Sequence, residues 1–223
     1  HHCLILWERA CSRRMSSVLV QSFLKRRQAR NNQVRVFAMD LSNIHIETER
    51  LVLRVPQVGD FDRFAELFAD EEAARYIGGQ LLRAEAWRKF LQQPGAWAVQ
   101  GFGMFSLIER ASGRWLGEVG PWRPEGWPGN EVGWILHRDA WGKGFASEAA
   151  GVAIDWAFEN LGWESVIHCI APQNTPSQHL AQRMGSRNQG PGKLPPPHQD
   201  APIDIWGQSR EEWLHRRAGG KNP

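Results

Sequence analysis

No run of eighteen apolar residues occurs in this 223-residue chain, so it offers no helix able to cross a bilayer. Cysteine is scarce. Cys3 and Cys11 fall near the start and Cys169 stands alone in an apolar run, which leaves neither a disulfide framework nor any metal-ligand spacing. A reducing, cytoplasmic compartment is the simple reading. Cys169 has no nucleophile signature around it and reads as a small buried hydrophobe. Glycine and proline, 22 and 13 in number, follow no period, which excludes a collagen-like chain, and no internal repeat is present.

Acidic residues are nearly missing from one stretch. Residues 1–38 carry eight Lys/Arg against the single acid Glu8, a net +7, so a whole-chain charge of +3 leaves −4 on the remainder. The basic character therefore belongs to a leader, and nothing in the rest favours nucleic-acid binding. An Arg-rich leader suits organelle import. Alternatively, Met39 opens a natural-looking start, and the leader is then an over-extended reading frame or a cloning remnant outside the fold. Residues 39–223 are expected to form one domain, long enough to bury a substantial core. Twelve tryptophans are expected to serve mainly as core or pocket wall.

Periodicity predicts a strand from Ile44 to Val55, closed by Pro56, then a helix capped by Asp60 with Phe61, Phe64, Leu67 and Phe68 on one face. A second helix is expected over Arg83–Gln92, with Tyr76–Gly79 a loop between the two. Ala96–Glu109 and Arg114–Trp122 read as strands joined by a hairpin turn at Arg110–Gly113, and Asn130–His137 adds a third. Next come a glycine turn, a helix over Phe145–Leu161 and an apolar strand over Ser165–Ala171. That order requires a parallel crossover inside a mostly antiparallel sheet. Thr175–Met184 is a short helix stopped by Gly185. Ser186–Ala201 reads as a long loop, Ile203–Gly207 as a last strand and Arg210–Arg217 as a terminal helix. The fold class is α/β with a mixed, α+β-like sheet.

The segment Trp141-Gly142-Lys143-Gly144-Phe145-Ala146-Ser147-Glu148-Ala149 follows a strand and opens a helix. Glycines allow a close backbone approach, and a helix start presents unpaired N–H groups with a partial positive charge, so the turn is a candidate anion cradle. It is not a Walker loop, because Phe145 follows Gly144 and no Ser/Thr follows Lys143. The dinucleotide fingerprint also fails, since Ser147 stands where its third glycine belongs.

Asn130-Glu131-Val132-Gly133-Trp134-Ile135-Leu136-His137, this turn, and Asn174-Thr175-Pro176-Ser177 with Ala181-Gln182-Arg183-Met184-Gly185 together resemble the GNAT superfamily of acyl-CoA N-acyltransferases, in its RimJ/RimL-like branch. The similarity runs from about Ile44 to Trp213. It implies a mostly antiparallel central sheet whose parallel strand pair splays around the cofactor, with helices on both faces. It implies acetyl-CoA as co-substrate, its pyrophosphate on backbone N–H groups of Gly142, Lys143, Gly144, Phe145 and Ala146, and its pantetheine along the end of the Ile135–Leu136–His137 strand. Asn174 and Ser177 would lie near the cofactor arm and its sulfur. One departure is visible: Asp139 stands where the superfamily often has Gln or Arg, preceded by Arg138. The tyrosine acid of some relatives has a poor match here, because the single tyrosine, Tyr76, precedes the glycine turn in a loop.

Attack of an amine on a thioester needs positioning, worth about 7–11 kcal/mol, and proton management. Glu131, an acid in an apolar strand, is the candidate base; its other reading is a solvent-facing or Arg-paired residue. Ser177 either hydrogen-bonds the leaving sulfur or caps its helix. His137, His168 and His179 are given no catalytic role. An α-amine needs only about 1 kcal/mol to be neutral at pH 7, against roughly 4–5 kcal/mol for lysine, so protein N-termini or small weakly basic amines are the expected acceptors. No membrane or nucleic-acid partner is expected, and an oligomer is open. The competing reading is a non-catalytic acyl-CoA-binding sensor on the same fold.

Overall fold

The computed structural model describes residues 43–219; the basic leader expected over 1–38 lies outside the described residues. The chain opens with β1 (His45–Glu47), β2 (Leu51–Arg54), α1 (Phe61–Ala69), α2 (Glu71–Ala74), α3 (Arg83–Phe90) and α4 (Gln92–Gln100). It continues with β3 (Phe105–Glu109), β4 (Trp115–Trp122), β5 (Glu131–Leu136), α5 (Phe145–Asn160) and β6 (Ser165–Ile170). Last come α6 (Thr175–Met184), β7 (Arg187–Gly192), β8 (Ile203–Ser209) and α7 (Arg210–Arg217). One eight-stranded sheet runs in the order β1-β2-β3-β4-β5-β6-β8-β7. Every neighbouring pair is antiparallel except β5–β6.

Alternation along the strands sends side chains to two separate cores. Phe105, Leu107, Leu116, Val119, Val132 and Leu136 meet α5, whose Ala149, Ala150, Ala153 and Ala157 let the helix lie close to β4 and β5. On the opposite face, Trp115, Ile108 and Ile135 meet Phe64, Leu67, Phe68 and Phe90 of α1 and α3. Each fully buried aromatic or aliphatic side chain contributes about 1.5–3 kcal/mol. Five tryptophans, 97, 115, 163, 206 and 213, are buried, whereas Trp87 and Trp141 are exposed.

Three expectations from sequence need correction. The single strand Ile44–Val55 is a hairpin: Thr48 turns the chain, its N–H donating to the Leu51 carbonyl and its Oγ1 accepting the Leu51 N–H, and the alternation simply resumes after the turn. Ala96–Gln100 is the end of helix α4, not strand. Trp97 anchors it by donating Nε1–H to the Met104 carbonyl (3.0 Å), and Gly101 at φ 79° ends it. Part of the Ser186–Ala201 loop is the edge strand β7, which pairs with β8 through main-chain groups that need no apolar side chain; the register breaks between Asn188 and Pro191. Asp60 sits at the α1 N-cap but makes no side-chain cap bond. Its carboxylate instead takes Arg54, the Gln57 N–H and Ser106 Oγ.

Candidate active site

The parallel pair β5–β6 is in register only at Glu131 and Ile167, where the Ile167 N–H donates to the Asn130 carbonyl (2.9 Å). Past that point the strands part, and two side chains replace the missing rungs. Glu131 Oε1 accepts the Cys169 N–H at 3.0 Å, the next amide on that edge of β6. In return, His168 Nδ1 meets the Val132 carbonyl at 2.7 Å. Because the His137 N–H points to Leu116 of β4 (2.8 Å), alternation aims the Trp134 amide and carbonyl and the Leu136 N–H into the gap beyond. The Leu136 carbonyl is taken by Trp141 Nε1 (2.9 Å), while Ile135 and His137 spend their main chain on β4.

Glu131 is 7 % exposed and has no arginine partner among the described residues, so the solvent-facing and ion-paired readings both fall there. Burial pushes its pKa up to about 7, with the hydrogen bonds from Cys169 and from Trp127 Nε1 (2.5 Å) opposing the rise. A carboxyl so placed exchanges its proton near neutrality. Cys169 beside it is driven the other way from reactivity: burial and the Glu131 charge raise its thiol pKa well above the ordinary value. His168 is buried and held neutral, its pKa lowered to about 4 by desolvation. With the Nδ1 proton on the Val132 carbonyl, Nε2 accepts from Ser186 Oγ (3.0 Å), which in turn accepts from Gln208. It is a structural histidine.

The glycine turn stands open at the start of α5. Gly142 and Gly144 have φ of 71° and 79°, a left-handed geometry that side chains resist. Among the described residues, no acceptor meets the N–H groups of Gly142 through Ser147. Glu148, the acid that could fold back over them, is instead held by Thr48 Oγ1 (2.5 Å) and Arg50 Nε (2.7 Å). Arg50 also takes the Lys143 carbonyl (2.9 Å) and lies over the Phe145 ring. The turn's carbonyl side is thus clamped and its amide side left unpaired, where the helix dipole adds positive potential.

Asp139 lies beneath this turn in a cationic nest. Arg63 (2.8 Å) and Arg114 hold its Oδ2, and His137 Nδ1, which accepts the Asp139 N–H at 3.4 Å, lies 3.1 Å from Oδ1. These contacts hold the Asp139 pKa below the usual range against its desolvation. Arg138 does not face the turn; it bonds Asp70 and Glu72 at the start of α2.

At the far side of the gap, Asn174 caps α6 by accepting the Ser177 N–H (3.3 Å). Ser177 is therefore not the cap, and its hydroxyl receives Trp134 Nε1–H at 3.1 Å. Ser177 and Trp134 thus stand together beside the gap, with Glu131 at the point where the strands part. Sequence reasoning missed three neighbours of this site. Trp134 belonged to the strand motif of the resemblance but was given no site role, Arg50 carried no motif, and Tyr76 was set aside by chain position although its hydroxyl reaches the Gln173 carbonyl (3.2 Å), one residue from Asn174. Contacts across about 97 and 93 residues leave no local signal. Among the described residues no cluster of His, Cys, Asp or Glu could hold a metal, and no helix is long and apolar enough to cross a membrane.

The model of the acetyltransferase (GNAT) domain matches residues 50–187. A Bacillus licheniformis protein named uncharacterized N-acetyltransferase p20 is 30% identical over 146 residues, covering 64% of this chain and 82% of its own length. Among solved structures, the acetyltransferase from Agrobacterium tumefaciens superposes with a TM-score of 0.66 at 27% identity, over 77% of this chain and 98% of that one. The ribosomal-protein-S5-alanine acetyltransferase from Vibrio fischeri superposes at 0.62 with 19% identity, over 77% and 99%, and shows the shared fold alone.

Proposed function

The chain belongs to the GNAT acetyltransferase family, and from that footing we propose that it transfers the acetyl group of acetyl-CoA to a primary amine by direct attack on the thioester. The observation that carries this reading is the row of unpaired amides from Gly142 to Ala146, held open by the Arg50–Glu148 clamp. A diphosphate satisfies such a row, and the residues fit a CoA nucleotide on that ground. Trp134 and Leu136 offer the strand edge for the pantetheine amides, and the Asn174 side-chain nitrogen remains for the arm as it nears Ser177. The bound thioester supplies an already activated acyl group.

Proton handling falls to this chain's own residues. Glu131, poised near pH 7, takes the proton of the attacking amine directly or through a water. Ser177, its oxygen already accepting from Trp134, turns its own proton toward the leaving sulfur. A panel of small amines and N-terminal peptides, incubated with acetyl-CoA and read by mass spectrometry, tests the proposal. Gain of one acetyl group on an amine supports it, whereas CoA binding without turnover across the panel favours the sensor reading.

A further inference from the structure

The connection between β4 and β5 touches the proposed base, and the chemistry above gives that loop no part. Trp127 Nε1–H donates to Glu131 Oε2 at 2.5 Å, while Oε1 takes the Cys169 N–H at 3.0 Å. Both oxygens of this buried carboxyl are thus engaged, one by a loop side chain and one by the main chain of β6. The Cys169 amide belongs to the sheet whatever the loop does. The indole is the contact that the loop itself supplies.

Several contacts fix that indole in place. Trp127 lies edge-on to Trp122, the last residue of β4, with ring centres 6.4 Å apart and planes at 80°. Its N–H closes a turn on the Pro124 carbonyl (3.1 Å), and Arg123 Nη1 donates to Asn130 Oδ1 (3.1 Å) across the two ends of the loop. Gly129 presses against β6, where a Cβ would come within 3.0 Å of Ile167 Cδ1. A Cβ on Gly126 would lie 3.3 Å from Pro195 Cβ, so the segment between β7 and β8 backs the same loop. Ring, main chain and neighbouring segment together set the direction of the N–H.

We propose that Trp127 is a positioning residue for acetyl transfer, its indole N–H holding Glu131 Oε2 so that the side chain stands in one orientation as a carboxylate. The inference rests on Glu131 taking the proton of the amine. An indole N–H can only donate, so it bonds the ionised carboxylate more strongly than the neutral acid. Desolvation raises the Glu131 pKa to about 7, and the bonds from Cys169 and Trp127 oppose that rise. Cys169 of β6 is the titratable group against Glu131, and its thiol stays protonated because burial and that carboxylate raise its pKa. The loop's own charges, Arg123 and Glu125, are exposed. Removing the indole donor should therefore favour the protonated acid by about tenfold or more, equivalent to about one unit of pKa.

Two variants separate the donor from the ring. Trp127→Phe keeps an aromatic ring beside Trp122 and removes the N–H, whereas Trp127→His offers a ring N–H from a five-membered ring shaped like the pyrrole half of the indole. The Glu131 titration is read by NMR on protein labelled with 13C at the glutamate carboxyls, its signal assigned by its loss in Glu131→Gln. Trp127→Phe should move the midpoint up by about one unit or more, and Trp127→His should leave it at or below the wild-type value. Kinetics provide a second readout. With one amine, wild-type kcat/KM should exceed that of Trp127→Phe about tenfold at pH 6 and equal it to within about twofold at pH 9. CoA-induced melting shifts show that each variant is folded, and Trp127→His alone still decides if Trp127→Phe does not fold. A midpoint unmoved in Trp127→Phe, a midpoint raised in Trp127→His, or a kcat/KM ratio constant with pH overturns the inference and leaves acetyl transfer intact. A midpoint raised in Trp127→Phe alone, with no acetylation by wild type at any pH, upholds the hold of the indole on Glu131 and overturns the chemistry.

Discussion

Replacing Glu131 by Gln removes the proposed proton acceptor while keeping the side chain's length. The amide oxygen can still take the Cys169 N–H, but its NH2 then faces Trp127 Nε1–H, two donors together, at a stability cost of about 1–3 kcal/mol. Catalytic loss is expected to exceed what that packing change explains: a general base contributes about 10²–10⁴-fold, so kcat/KM should fall at least a hundredfold, about 2.7 kcal/mol. The pH dependence is the sharper readout. With a pKa of about 7, roughly one eleventh of Glu131 is ionised at pH 6 and ten elevenths at pH 8. Ionisation of the acceptor amine changes over the same range, yet it cancels when wild type and Glu131→Gln are measured with the same amine. The ratio of their kcat/KM values should therefore grow about tenfold from pH 6 to pH 8, measured by thiol release under first-order conditions. CoA-induced melting shifts in both proteins confirm that each is folded and binds. A ratio flat across that range, or a variant within threefold of wild type, refutes the assignment.

Gly144→Ala places a Cβ at φ 79°, costing about 1–2 kcal/mol, and lays it 3.4 Å from Arg50 Nη2; the KM for acetyl-CoA should rise about tenfold, and an unchanged KM counts against the phosphate turn. Gly151→Ala, one helix turn and more beyond with nothing within 4 Å of the new methyl, should instead raise the melting temperature and leave KM alone. His168, neutral in the fold, has its pKa lowered to about 4 from an ordinary 6.5, so its contribution is intact above 6.5 and lost as pH falls through 4. Urea unfolding should show about 3 kcal/mol lost from this source by pH 4, and a His168→Gln variant that loses just as much over that interval contradicts it.

Elements whose signals are local were legible from sequence. Thr175–Met184 has Asn174 before it and Gly185 after it, and Arg210–Arg217 follows Ser209; both helices have the expected ends. The parallel crossover followed from element order, because strand, helix and strand leave no other connection. Misreadings arose where tertiary contacts decide. Gln92–Gln100 mixes Pro94 and Gly95 with Ala, Gln, Trp97 and Val99, and the Trp97 and Gln93 bonds to Met104 settle its conformation. β7 is made by pairing with β8, for which its glycine- and proline-rich composition holds no signal. At the site, the turn was visible through its glycines, but the clamp on it was not, since Arg50 is one arginine among many until the fold brings it to Glu148. Glu131 was visible as an acid in an apolar strand. Its burial could only come from the parting of β5 and β6.

A crystal structure with CoA bound tests the central claim most directly. The account predicts both phosphates of the diphosphate within hydrogen-bond distance of backbone nitrogens between Gly142 and Ala146, with the pantetheine entering between Trp134 and α6. A diphosphate seated elsewhere, with those amides facing solvent or a protein carbonyl, contradicts it.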